Sequence, residues 1–138
     1  MKRILIDTNI VLDLFGKRGT FYQEAAWLFS LADKKKISLY VSALTFANVN
    51  YVLLKQRKPG ETKLILRKLK LIVGVLNLDE KVISLSLNDN DFRDFEDALQ
   101  YYLAIENDIE VIITRNLKDF KNSKLPVMTA RQFIKSTE

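Results

Sequence analysis

Residues 3–15 read RILIDTNIVLDLF, and this stretch decides the fold. A short apolar run ends in an acid, a hydroxyl and an amide at Asp7, Thr8 and Asn9, and an apolar segment resumes at once. The pattern predicts a buried strand, a polar turn and a helix. Ligands of an open α/β sheet lie beyond the carboxyl ends of its strands, so Asp7 points into the expected site. The alternative is that Asp7 or Thr8 only caps the helix.

Strands and helices alternate along the rest of the chain. Apolar runs predict strands at residues 3–6, 37–41, 75–78, 111–113 and 125–128. Helical spacing and caps predict helices at about 10–15, 21–35, 42–55, 61–72, 79–87, 94–107 and 129–135. This alternation predicts one domain over residues 1–138, with a parallel or mostly parallel sheet flanked by helices. Pro126 places the last strand at an edge of the sheet.

The composition restricts the chemistry that the chain can perform. Its 138 residues include no cysteine and no histidine. This excludes a thiol nucleophile, a cysteine-bound zinc and the usual general base near neutral pH. Any reaction must therefore use carboxylates, amides, hydroxyls, Lys and Arg, together with a hard cation. The net charge of +5 fits a polyanionic partner.

The N-terminus and the apolar segments predict a cytoplasmic protein. Met1–Arg3 leads into a short apolar run that does not have the form of a secretory signal. The longest apolar region, residues 64–78, is interrupted by Arg67, Lys68 and Lys70, so we expect no membrane span.

Candidate catalytic acids occur in three parts of the chain. Asp7 and Asp119 follow predicted strands, and Asp97 lies in the first turn of a helix that precedes a strand. The carboxyl ends of parallel strands share one edge of the sheet, so we expect Asp7 and Asp119 to lie at that edge. Asp97 would lie there too if the first turn of its helix reaches the same edge. Each acid has a structural alternative. Asp94 and Asp97 resemble an acidic capping box, and Asp119 could begin a short helical turn.

Clustered carboxylates favour metal-assisted hydrolysis of a phosphodiester. Their oxygens bind Mg²⁺ or Mn²⁺, which prefer hard ligands and retain several waters. Such a metal lowers the pKa of a bound water and needs no histidine. Arg115 and Lys118 follow the fourth predicted strand and are candidates for contacting substrate phosphates.

Together these motifs resemble a known family. They are LIDTNIVLD at residues 5–13, VSALT at 41–45, DFEDALQ at 94–100 and ITRNLKDF at 113–120. In order and spacing they resemble the PIN domain family, and most closely the VapC-like toxins of prokaryotic toxin–antitoxin pairs. The resemblance implies a three-layer α/β/α sandwich with a mostly parallel sheet of about five strands.

The resemblance also implies a function and a set of site residues. It implies a Mg²⁺- or Mn²⁺-dependent ribonuclease that forms homodimers and is held inactive by an antitoxin protein. Asp7 matches the first acid of the family and Asp97 the third, so both would hold the metal. Asp119 lies in the segment that supplies the fourth position. The residues expected to support these acids are Thr8, Asn9, Asn48, Thr114 and Asn116.

Position 48 departs from the family pattern. The second acid of the family is usually a glutamate in the helix after the second strand, and the matching residue here is Asn48. Neither Glu24 nor Glu61 falls where it could replace that acid. One hypothesis is an active ribonuclease in which Asp119, Asn116 and Asn48 assist through waters. The alternative is a catalytically impaired PIN-fold module that binds RNA or a protein.

The predicted surroundings of Asn48 allow a purely structural reading as well. Helical spacing places it on an otherwise apolar face with Leu44, Ala47 and Tyr51. A core asparagine bonded to the backbone is therefore a competing interpretation. A nucleotide-binding α/β domain is a more distant one, because the four glycines form no phosphate-binding loop.

Overall fold

The sheet consists of five strands, all parallel. The structure is a computed structural model and describes residues 1–138. The strands are β1 Lys2–Ile6, β2 Ile37–Ser42, β3 Gly74–Leu76, β4 Val111–Ile113 and β5 Val127–Met128. Their order is β3-β2-β1-β4-β5.

Seven α-helices and one 3₁₀ turn connect these strands. The helices are α1 Thr8–Phe15, α2 Phe21–Asp33, α3 Ala43–Leu53, α4 Pro59–Ile72, α5 Glu80–Asn88, α6 Phe95–Glu106 and α7 Ala130–Ser136. The 3₁₀ turn is Leu117–Phe120. None of the helices combines the length and the apolar character that crossing a membrane requires.

The N-terminal strand β1 lies at the centre of the sheet. Ile4, Leu5 and Ile6 are fully buried, as expected for a parallel strand covered on both faces. Ile4 is in register with Leu39 of β2 on one side, and Ile6 with Ile113 of β4 on the other. The apolar run that opens the chain therefore forms the middle of the core.

Helices cover both faces of the sheet. Side chains from α1, α2, α3, α4 and α7 form one apolar core with Ile4 and Ile6. Side chains from α5 and α6 form a second core around Leu5 and Ile112. The alternation of side chains along β1 and β4 sends neighbouring residues into different cores. The prediction of a three-layer α/β/α sandwich is confirmed.

The strand order creates a switch point between β1 and β4. The chain passes outward from β1 to β2 and β3, and then returns to the other side of β1 for β4 and β5. In such sheets ligands bind at the carboxyl ends of the two strands where the direction changes. Asp7 and Thr114 directly follow those two strand ends.

The last strand is an edge strand, as Pro126 predicts, but it is shorter than expected. It covers Val127–Met128 rather than 125–128. The Ser123 hydroxyl bonds both the N–H and the carbonyl of Leu125 and so holds a local turn there. Pro126 has no N–H to donate to the sheet.

Candidate active site

The Asp7 carboxylate is buried at the switch point and held by two other elements. Its Oδ1 accepts a hydrogen bond from Gln100 Nε2 at 2.9 Å, and its Oδ2 accepts one from Thr114 Oγ1 at 2.8 Å. Its backbone N–H donates to the carbonyl of Ile113 at 2.9 Å. Asp7 occupies the N-cap position of α1, but its side chain makes no capping bond. The alternative that this carboxylate only caps α1 is therefore wrong.

Asp97 lies in the first turn of α6, and its pKa is raised by burial and by the neighbouring acids. Burial raises the pKa of Asp97 to about 7, and the charges of Asp94, Asp119, Asp7 and Glu96 add to the effect. Like charges this close disfavour ionisation of the same carboxyl. Asp97 therefore lies close enough to the other two predicted acids, Asp7 and Asp119, for their charges to act on it.

Asp94 caps the helix that carries Asp97. Its Oδ1 accepts hydrogen bonds from the backbone N–H groups of Glu96 at 2.7 Å and of Asp97 at 3.3 Å. No bond returns from the Asp97 side chain, so only half of the capping-box alternative holds. The Asp97 carboxyl group remains available to the site.

Asp119 faces the same cleft as Asp97. A helical turn is present there, as predicted, but this 3₁₀ turn spans Leu117–Phe120, so Asp119 lies within it and does not begin it. A polar cleft of about 250 Å³ opens beside it. The cleft is lined by Asp91, Arg93, Asp94, Asp97, Lys118, Asp119, Lys121 and Asn122. Lys118, a predicted phosphate contact, thus lies beside two of the predicted acids.

The residues predicted to support the acids differ in their hydrogen bonds. Thr114 is fully buried; it donates to Asp7 and accepts a hydrogen bond from the Asn116 backbone N–H at 3.1 Å. Thr8 shares a hydrogen bond of 3.0 Å with the hydroxyl of Thr45. The side chain of Asn9 is half-buried and has no hydrogen-bond partner in the protein.

Asn48 does not lie on an apolar core stripe. The buried face of α3 carries Thr45, Val49 and Leu53, whereas Tyr51 is 69% exposed. The helix is therefore rotated relative to the prediction, and Asn48 lies at the boundary between core and solvent. Its Nδ2 donates to Glu96 Oε1 at 3.0 Å. The interpretation as a core asparagine bonded to the backbone is wrong.

Arg115 is engaged away from the acidic cleft. Its Nε lies 2.9 Å from Asp13 Oδ2, and its guanidinium stacks on the ring of Phe21 at 4.2 Å. Burial raises the pKa of Asp13, while the charges of Arg115 and Arg18 oppose this rise. The ion pair ties the segment after β4 to α1. A phosphate contact by Arg115 stays a prediction that its present contacts do not favour.

We expect Arg115→Met to lower the free energy of unfolding by about 3 kcal/mol at pH 7. The variant leaves the carboxylate of Asp13, which is 1% exposed, without its nearest counter-charge. The loss should shrink at pH 5, because a protonated Asp13 needs no partner. Urea unfolding at both pH values measures the effect.

The matched control is Arg131→Met, since Arg131 is exposed and lines the same depression. It should leave stability nearly unchanged. The double variant Asp13→Asn/Arg115→Met should recover most of the loss. Equal stability of Arg115→Met and the wild type would contradict a structural role for the pair.

The sequence analysis missed Gln100 and Glu96 as site residues. Both lie on α6, four residues apart, and this spacing puts them on one face of the helix. Gln100 donates to Asp7, and Glu96 accepts from Asn48. The spacing in the DFEDALQ motif could have indicated them, because Gln100 and Glu96 lie one helical turn apart and Glu96 is adjacent to the predicted acid Asp97.

The donor set suits a divalent cation with many water ligands. No three acidic side chains form a group that could enclose a metal ion by themselves. Mg²⁺, however, is usually held by one or two carboxylates and keeps several waters. Burial raises the pKa of Asp97 most, and the repulsion from neighbouring acids, which adds to this rise, is of the kind that a bound cation relieves. The buried Oε1 of Gln100, which has no partner, is a further hard oxygen beside Asp7.

Comparisons with known proteins agree with this geometry. A family model described as a PIN domain matches residues 3–118. The chain is 29% identical over 139 residues to the ribonuclease VapC1 of Aquifex aeolicus (strain VF5). The alignment covers 96% of this chain and 93% of that protein.

Solved structures of toxin–antitoxin proteins share the fold. A toxin–antitoxin complex from Klebsiella pneumoniae superposes with a TM-score of 0.70 at 25% identity, covering 92% of this chain and 97% of that one. DNA-bound VapBC from Salmonella typhimurium gives a TM-score of 0.69 at 15% identity, with coverages of 94% and 99%. At this lower identity the likeness establishes the fold alone.

Proposed function

Because the chain belongs to the PIN domain family, we propose that it is a divalent-metal-dependent endoribonuclease and the toxin of a toxin–antitoxin pair. The observation that carries the proposal is the buried Asp7 carboxylate, which two donors orient at the switch point of the sheet. The likeness to a ribonuclease along nearly the whole chain supports the reaction class.

We assign the metal to Asp7 and Asp97, with Asp119, Asn116 and Asn48 acting through waters. A Mg²⁺ or Mn²⁺ ion bound there would supply an activated water and charge neutralisation for the phosphate. The chain's own contribution is orientation: Thr114 and Gln100 each fix one oxygen of Asp7. Asp97 must lose a proton before it can serve as a ligand.

The substrate we propose is RNA. Lys118, Arg93 and Lys121 line the acidic cleft and can pair with phosphates on either side of the reacting bond. The net charge of +5 favours the approach of a polyanion despite the acids in the cleft.

We also propose an antitoxin partner and a homodimer. Structures of similar fold include a toxin–antitoxin complex from Klebsiella pneumoniae and VapBC2 from Rickettsia felis. Purification with and without a co-expressed antitoxin, followed by measurement of mass in solution, tests both assignments.

A second candidate function is an impaired module that binds RNA or protein, and the amide at position 48 motivates it. The two candidates differ in their dependence on metal. An impaired module would retain RNA binding in chelator and cut nothing.

Removal of divalent metal is therefore the test of the proposed function. We expect millimolar Mg²⁺ or Mn²⁺ to produce discrete RNA fragments and excess chelator to abolish cleavage. Labelled RNA resolved on a gel gives the measurement, and a DNA strand of the same sequence is the control. Cleavage that persists in chelator would contradict a metal-dependent reaction, and no cleavage with either metal would favour the impaired module.

A further inference from the structure

We propose that Glu96 supplies the carboxylate that the family pattern places at position 48, and that Asn48 is the positioning residue that holds it. On this proposal the acid is carried by α6 instead of α3. This inference rests on the proposed metal-dependent function and names one more residue of that site.

The first support is the contact between the two helices. Asn48 Nδ2 donates to Glu96 Oε1 at 3.0 Å, although the residues are 48 positions apart. A hydrogen bond to a carboxylate is stronger than one between neutral groups. The amide at position 48 therefore brings a negative charge to α3, which lacks one of its own. The second oxygen, Oε2, accepts no hydrogen bond from the protein, and Glu96 is exposed, so this oxygen is free to accept one from a metal-bound water.

The second support is the place of this pair relative to Asp7. A crevice of about 10 Å³, room for a single water, lies between α1, α3 and α6. Its lining includes Asn48, Glu96, Thr8 and Gln100. Gln100 also donates to Asp7, so this one residue borders both the crevice of the pair and the first acid of the site.

A purely local role for Glu96 makes a different prediction. An acid in the first turn of a helix interacts favourably with the helix dipole whether or not a site is nearby. Glu80 also lies in the first turn of its helix, α5. If the dipole were the whole reason for Glu96, the variants Glu96→Gln and Glu80→Gln would behave alike.

The test is the affinity for Mn²⁺, measured by titration calorimetry at pH 8 on the full chain. We expect Glu96→Gln to weaken Mn²⁺ binding at least tenfold and Glu80→Gln to leave it unchanged. The double variant Asn48→Glu/Glu96→Gln exchanges the acid and the amide. It should restore Mn²⁺ affinity to within about threefold of the wild type, because Gln Nε2 can donate to the new carboxylate. RNA cleavage should follow the same order.

The outcomes separate this inference from the proposed function. Wild-type Mn²⁺ affinity in Glu96→Gln would overturn the role of Glu96 while the ribonuclease proposal stands. A double variant as weak as Glu96→Gln would overturn the exchange between the two positions. If the wild type neither binds Mn²⁺ nor cuts RNA, the proposed function fails and the inference fails with it. Thermal unfolding of each variant confirms that the fold is kept.

Discussion

Replacing Asp7 with Asn should reduce divalent-dependent RNA cleavage about a thousandfold or more. The change removes one of the two carboxylates assigned to the metal, and a loss of about 4 kcal/mol in transition-state stabilisation corresponds to that factor. The fold should survive, because the surrounding groups can adapt. The amide of Gln100 can rotate to offer Oε1 to the new side chain, and the hydroxyl of Thr114 can still donate to its oxygen.

The comparison needs a control that changes the same charge elsewhere. Asp33→Asn alters an exposed residue at the end of α2 and should cleave RNA like the wild type. Initial rates on one labelled RNA, measured at saturating Mn²⁺, give the ratio directly. Cleavage by Asp7→Asn at a rate near that of Asp33→Asn would exclude the site assigned here.

Without metal, the protein should lose stability as the pH rises from 4 to 8, and Asp97 should account for much of the loss. Its pKa is raised from 3.8 to about 7 in the folded protein. The folded state therefore binds a proton that the unfolded chain releases, and stability falls until the pH passes 7. For a fully buried carboxyl, this shift in pKa would lower the free energy of unfolding by about 4 kcal/mol over this pH range. Asp97 is only half-buried, so we expect about 2 kcal/mol.

The variant Asp97→Asn isolates this contribution. At pH 8 and without metal, we expect it to unfold about 6 °C above the wild type, while at pH 4 the two should agree. Mn²⁺ should stabilise the wild type at pH 8 and the variant much less, because ligand binding to the folded state raises its stability. The Mn²⁺ affinity of the wild type should fall by up to about tenfold per pH unit below 7. Parallel stability curves for the two proteins would refute the role of Asp97.

The local patterns of the chain were sufficient to predict a parallel or mostly parallel sheet flanked by helices. An apolar run that ends at Asp7, a proline at position 126 and a cap at Thr129 each act within a few residues of themselves. No local pattern predicted that β1 lies at the centre of the sheet, whereas the structure has β5 at the edge and Thr129 as the N-cap of α7, as these patterns predict. Short-range sterics and burial determine these features, so periodicity finds them.

The details of the site depend on contacts that no local pattern contains. The rotation of α3 about its axis decides whether Asn48 faces the core or α6, and that rotation is set by packing against other helices. The partner of Arg115 is Asp13 on α1, which lies 102 residues earlier in the chain. Glu96 and Asn48 meet only because α3 and α6 approach each other. The residue types of the site could therefore be predicted, but several of their partners could not.

The central position of β1 has a consequence for the order in which the protein is made. Asp7 leaves the ribosome early, whereas Thr114, which holds its carboxylate, comes 107 residues later. At about 5–20 residues per second this interval is roughly 5–20 s. A nascent chain that has reached β3 can pair β1 with β2, but the β4 side of β1 is still open and Asp7 lacks its hydroxyl donor. The site is complete only after the segment up to Asp119 has been synthesised, so we expect an unfinished chain to cleave no RNA.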